Sequence, residues 1–338
     1  MKDVKRIIPV ITVFLFLFSC KNVDSDRTES KAKELNYNWL KTDTTFALLK
    51  DEKVVWQLNY SKKQDKPFFS PLRVNGHDLT LERPTDHPWH RGLWFSWRFI
   101  NKINYWEEDP ESGLSEGRSK IRGVNIVPGQ DYSATISIDM EYAPEGGEKV
   151  LKEQRTLHIS PPNDMGNYII DWKLDFIAGD SLLVFSTTPP LKHGGVVWGG
   201  YAGLGYRGAE TLEDPVFTTS TGWKYKRNYT GEAEDANWMD LSANLDTGTN
   251  AKGGITIFDH PDNPRHPSPW YIWFEADEHI FFTPAILYNG PLELAPNDSI
   301  QLKYRVFVHS GSSNIKSFNK MYSEFENNEI KKIPNKSQ

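Results

Sequence analysis

The sequence predicts an all-β fold: a large antiparallel two-sheet super-sandwich followed by a C-terminal helix. Three observations predict it. Apolar residues alternate with polar ones at period two in segment after segment, the signature of half-buried strands. Proline and glycine clusters such as "YAPEGGE" and "SPPNDMG" punctuate those segments, as turns require. Only the last stretch of the chain changes to a helical period.

Taken in order, the chain begins with Lys2, Lys5 and Arg6 ahead of an apolar run over residues 7–18. A charged start and a short apolar core mark a secretory signal, and the run is too short for a spanning helix. It ends in "LFSC", which resembles a bacterial lipobox, so Cys20 is expected to become a lipidated N-terminal residue. Cys20 is also the single cysteine among 338 residues. Residues 1–20 are thus expected as a lipoprotein signal and 21–40 as a flexible polar tether. The product would sit in the cell envelope, lipid-anchored to the outer membrane or facing the periplasm.

The sandwich is expected over residues 41–311. "VVWQLNY" places Val54, Trp56, Leu58 and Tyr60 on one face, and "ATISIDMEY" does the same for Ala134, Ile136, Ile138, Met140 and Tyr142. "IDWKLDF" sets Ile170, Trp172, Leu174 and Phe176 against Asp171, Lys173 and Asp175. "IQLKYRVFVH" aligns Ile300, Leu302, Tyr304, Val306 and Val308. Within residues 312–338, Ile315, Phe318, Met321, Tyr322 and Phe325 recur at helical spacing, which predicts a helix packed on the sheet edge.

Composition narrows the partners. The formal net charge is −6 with no basic block, which argues against a nucleic-acid partner. Aromatic residues make up 13% of the chain, including 12 Trp. Tryptophan faces stack on sugar rings, and they equally serve as buried anchors.

Three segments carry chemistry. In "RPTDHPWHRGLWFSWRFINKINYWEE", residues 83–108, Asp86, His87, His90 and Arg91 lie between Pro84 and Gly92. Proline keeps this stretch out of a central strand. In a turn, residues three apart approach to about 7 Å, so His87 and His90 converge. A metal pair, a general acid/base pair and a hydrogen-bonded corner all fit that geometry. "DHPDNPRHPSPW", residues 259–270, repeats Asp-His-Pro and adds Arg265, His266 and Trp270. "KHGGVVWGGYAGLGYRG", residues 192–208, holds seven glycines with His193, Trp198, Tyr201 and Arg207. It lacks the Lys-Ser/Thr ending of a phosphate loop, so its glycines mark bulges or close backbone approach to a ligand.

These stretches, with "LKYRVFVHSG", resemble the bacterial PmoA family, methane-oxygenase-like in name, over roughly residues 70–311. The family commonly has two adjacent histidines before Arg-Gly, where this chain has Trp89-His90. A methane oxygenase subunit would need several apolar spans of about 20 residues, and none follows the signal. The all-β pattern instead looks like the galactose-mutarotase-type super-sandwich, which implies a carbohydrate-active protein.

One shared pocket is therefore expected, formed by His87, His90, Arg91, His193, His260, Arg265 and His266. Catalysis falls to His87, His90, His193 and His260. Asp86, Arg91, Trp106, Arg207, Arg265, His266 and Trp270 bind substrate, with Arg91 and Arg265 holding an anionic or hydroxyl-rich ligand. The expected function is acid/base chemistry (hydrolysis, elimination or epimerisation) on a sugar or sugar-acid derivative without a cofactor. Two alternatives stand beside it. One is a non-catalytic glycan-binding lipoprotein; the other is an enzyme with a divalent metal on His87, His90 and His193 or His260.

Overall fold

The computed structural model describes residues 36–225, 229–246, 248–275 and 280–327. The expected signal, Cys20, most of the tether and the C-terminal tail lie outside them. Among the described residues, strands build a ten-stranded and a nine-stranded sheet plus a small four-stranded one, and every strand pairing is antiparallel. No helix among them is long and apolar enough to cross a membrane.

The alternation read from sequence is the alternation of burial. In strand Tyr168–Ala178, Ile170, Trp172, Leu174 and Phe176 are buried while Asp171, Lys173 and Asp175 are not. Ala134, Ile136, Ile138, Met140 and Tyr142 are buried together in strand Ala134–Pro144. These inward faces meet those of the ten-stranded sheet. Phe69 packs edge-on against Trp172 at 5.7 Å, and Phe95 packs at a tilt against Phe176 at 5.5 Å. Such aromatic pairs bury large areas, and they join the two layers into one core.

Two expectations change. Residues 37–40, expected in the tether, belong to strand Tyr37–Lys41, which pairs with Thr45–Lys50. Trp39 supplies the reason, stacking on Phe46 at 4.9 Å. The helix Ile315–Glu326 packs on the face of the nine-stranded sheet, not its edge. Phe318, Tyr322 and Phe325 are its buried residues, and they cluster with Trp238 and Phe258. Asn314 caps it by accepting a hydrogen bond from the Ser317 amide at 3.0 Å, as an N-cap asparagine does.

The order of the ten-stranded sheet positions the site. Strands Phe68–Val74, Leu93–Ser96, Gly203–Arg207, Phe281–Pro284 and Pro269–Phe274 lie side by side. Segments that are distant in sequence thereby become neighbours.

Candidate active site

Residues 83–92 form a tight loop before strand Leu93–Ser96. The Arg83 amide donates to the His90 carbonyl, the His87 amide to Pro84, and the His90 amide to His87. Gly92 ends the loop at φ 74°, where an added Cβ would lie 2.6 Å from the Phe69 carbonyl oxygen. Only glycine tolerates both the dihedral and the approach. The loop brings the His87 and His90 rings into a stack, 4.7 Å between centroids.

Each ring has different surroundings. His87 is a third exposed, and its Nδ1 lies 2.6 Å from Asp86 Oδ2. The same carboxylate oxygen accepts from Arg207 Nη2 at 2.7 Å. Burial pushes the Asp86 pKa up, but His87 and Arg207 outweigh it and hold the carboxyl below its ordinary value. His90 is buried between Phe281, stacked at 5.1 Å, and Trp94 at 5.0 Å. Burial, reinforced by the positive charge of Arg207 and of the more distant Lys66 and Arg98, holds its pKa well below the usual histidine value. At neutral pH His90 is therefore uncharged.

Both histidines line a cavity of about 240 Å³. Its aromatic walls are Trp198, Tyr201, Tyr271, Trp273 and Phe281; Glu107 and Arg207 complete the lining. Glu107 pairs with Arg98 at 2.7 Å and accepts from Asn104 Nδ2 at 2.9 Å. Burial raises the Tyr201 hydroxyl pKa against the opposing charge of Arg98, so Tyr201 stays a neutral donor.

Of the residues singled out in the sequence, Asp86, His87, His90, Trp198, Tyr201 and Arg207 meet here. The others do not, and each has a physical reason. Arg91 is buried and pairs with Glu108, which also accepts from buried Lys66 at 2.9 Å. Trp106 lies behind the lining, its ring 5.5 Å from Tyr201 and 5.2 Å from Trp94. His193 is exposed on a short 3₁₀ turn and faces the Tyr288 ring at 6.5 Å.

The segment 259–270 is a self-satisfied corner, not part of a shared pocket. Asp259 is fully buried, and a buried carboxylate needs donors. Asn263, the Ser268 amide and His266 supply them at 2.7–3.0 Å. His266 then meets the Tyr322 hydroxyl at 3.1 Å through Nε2. His260 packs edge-on against Phe325 at 4.9 Å. Arg265 donates to the carbonyls of Ile286, Gly290 and Pro291. Trp270 is buried and donates to the Ala236 carbonyl at 2.8 Å. The corner anchors the C-terminal helix.

The metal alternative also changes. His193 does not line the cavity with His87 and His90, and His260 is held at the helix. Among the described residues no three His, Cys, Asp or Glu side chains are grouped to hold a metal ion.

Sequence reasoning missed Glu107, Tyr271, Trp273 and Phe281 as site residues. A signal existed for two of them. In "WYIWF" aromatic residues occupy both faces of one strand, so one aromatic face must find a surface other than the core.

No curated protein matches the sequence. Among solved structures, the chain is similar to an alpha-galactosidase from Lactobacillus brevis, with 13% identity and a TM-score of 0.42, covering 87% of this chain and 42% of that one. It is similar also to a TPR-domain containing protein from Parabacteroides distasonis, with 10% identity and a TM-score of 0.25, covering 84% and 48%. The chain thus spans less than half of either structure, and the fold assignment rests on the strand topology itself. A family of unknown function, DUF6807, matches residues 45–323. That match covers the segments that resemble the PmoA family and replaces that resemblance. The chain belongs to the DUF6807 family of unknown function.

Proposed function

We propose that the aromatic cavity binds a neutral sugar ring and that His87, oriented by Asp86, moves a proton on it. The observation that carries the proposal is the Asp86–His87 pair opening onto a cavity walled by Trp198, Tyr271 and Trp273. With Nδ1 donating to Asp86, the other ring nitrogen of His87 is left as a proton acceptor, the arrangement of an oriented general base. Aromatic faces suit the apolar C–H face of a sugar.

Of the sugar or sugar-acid derivative expected from sequence, charge favours the neutral sugar. Arg207 pairs with Asp86, Arg98 with Glu107, and Arg91 with Glu108. Each guanidinium is matched by a protein carboxylate, so the cavity offers no surplus positive charge to an acid. As part of the same proposal, Cys20 carries a lipid that holds the domain at a membrane. Cys20→Ala should then move the full chain from the detergent phase to the aqueous phase.

A panel of neutral sugars, glycosides and sugar acids tests the site against the wild type, His87→Ala and Trp273→Ala. His87→Ala should lower turnover by about 10²–10⁴-fold, the usual share of a general base, with binding retained. Trp273→Ala should weaken binding about tenfold or more. Tight binding without turnover, unchanged in His87→Ala, would leave a glycan-binding protein. Preference for sugar acids would overturn the charge argument.

A further inference from the structure

We propose that Arg207 is a positioning residue that locks His90 as a hydrogen-bond donor to the ligand. The inference rests on the reading of the cavity as a sugar site and adds what that site asks of its ligand. Arg207 ends strand Gly203–Arg207, and its backbone holds the histidine loop from both sides. Its amide donates to the Gly92 carbonyl at 2.7 Å, and its carbonyl accepts from the Leu81 amide at 3.0 Å. Its guanidinium then forks, with Nη2 on Asp86 at 2.7 Å and Nη1 3.4 Å from His90 Nδ1.

A guanidinium has donors and no acceptor. The contact therefore requires His90 Nδ1 to be the bare, accepting nitrogen. Burial and the neighbouring positive charges keep the ring from taking a second proton. The one remaining proton must sit on Nε2. That nitrogen is buried and has no hydrogen-bond partner among the described residues, although His90 lines the cavity. An unsatisfied buried N–H is costly, and Phe281 and Trp94 beside it offer no acceptor.

A ligand oxygen would satisfy it. The two stacked rings then play opposite parts: His90 donates and His87 accepts. With centroids 4.7 Å apart, they match two nearby oxygens of one ligand, an acceptor and a hydroxyl. Polyhydroxylated rings present that pattern; an apolar ligand of equal size does not. His90 is accordingly not the proton-transferring base that sequence reasoning allowed it to be.

The lock can be read without any ligand. In ¹⁵N-histidine-labelled wild type, NMR should find His90 neutral at pH 7 with its proton on Nε2, and harder to protonate than an ordinary histidine. Arg207→Met should mix the tautomers and raise the His90 pKa. Arg207→Lys keeps the charge but loses the fork, so the tautomers should mix while the pKa stays low. A wild-type His90 protonated on Nδ1, or charged at pH 7, overturns the proposal whether or not the variants fold. A second arm uses the sugar found to bind the wild type. His90→Gln, which keeps a donor, should retain binding, and His90→Phe should lose it; equal affinities would also overturn the proposal. If no sugar binds the wild type, the sugar reading falls and the NMR result still decides the role of Arg207.

Discussion

Gly92 connects one backbone dihedral to the whole site. At φ 74°, with the Phe69 carbonyl 2.6 Å from where a Cβ would stand, Gly92→Ala meets both a left-handed dihedral and a backbone clash. The dihedral alone costs about 1–2 kcal/mol. A fall of several degrees in the thermal midpoint, with loss of ligand binding, is the expected outcome in a melt and a titration. His90 supports a second prediction at this scale. Its folded pKa is depressed, chiefly by burial. As pH falls below the unfolded value of about 6.5, the unfolded chain takes a proton that the folded chain refuses. Stability is then lost progressively until the depressed folded value is reached. His90→Gln removes that term, so urea midpoints at pH 7.5 and pH 5 should differ less in the variant than in wild type. An equal loss in both would show that His90 is not held neutral. The convergence of His87 and His90 was legible in sequence because it is local: spacing, two prolines and a glycine decide it. Their different surroundings were not legible, because Arg207 and Phe281 come from strands distant in sequence.

At the scale of elements, the C-terminal helix Ile315–Glu326 is clamped by histidines. Phe325 meets His260, Tyr322 meets His266, and Phe318 meets His309 at 4.9, 6.3 and 5.3 Å between ring centroids. Phe325→Ala should cost about 3–5 kcal/mol, as buried phenylalanines do. Trp238 reports the detachment, since its ring lies 5.4 Å from Phe318 and its Nε1 donates to Asn319. Its fluorescence should red-shift in the variant while binding of any ligand the cavity takes persists, because the helix forms no part of the cavity lining. Simultaneous loss of binding would mean that corner and cavity are coupled. The helical period was visible in sequence, yet its docking face was not. Phe318, Tyr322 and Phe325 define an apolar stripe, but only Trp238, Phe258 and Phe307, the aromatics of the sheet beneath it, say where such a stripe goes.

Across the whole molecule, buried charge ties the layers of the site together. Glu108 is buried and holds Arg91 of the histidine loop and Lys66, which leads into strand Phe68–Val74. Burial lowers the Lys66 pKa, and Glu108 opposes that shift. Removing one partner of such a group leaves uncompensated buried charge and costs about 3–5 kcal/mol. Glu108→Gln should therefore destabilise the protein by that order in denaturant unfolding. A loss under about 1 kcal/mol would show that the network contributes specificity without stability.

The antiparallel sandwich, the burial faces of its strands and the C-terminal helix follow from the sequence, because side-chain direction is a local property of strand and helix backbone. Which histidines work together does not follow from it. "TDHPWH" and "FDHPDNPRHP" read alike as local chemistry. One opens onto an aromatic cavity because strands Gly203–Arg207, Phe281–Pro284 and Pro269–Phe274 bring Arg207, Phe281 and Trp273 beside it. The other closes on itself, because the buried Asp259 consumes its donors and the helix covers its rings. Strand order is set by how two whole sheets bury their faces against each other. That is a property of the folded molecule which no short segment contains.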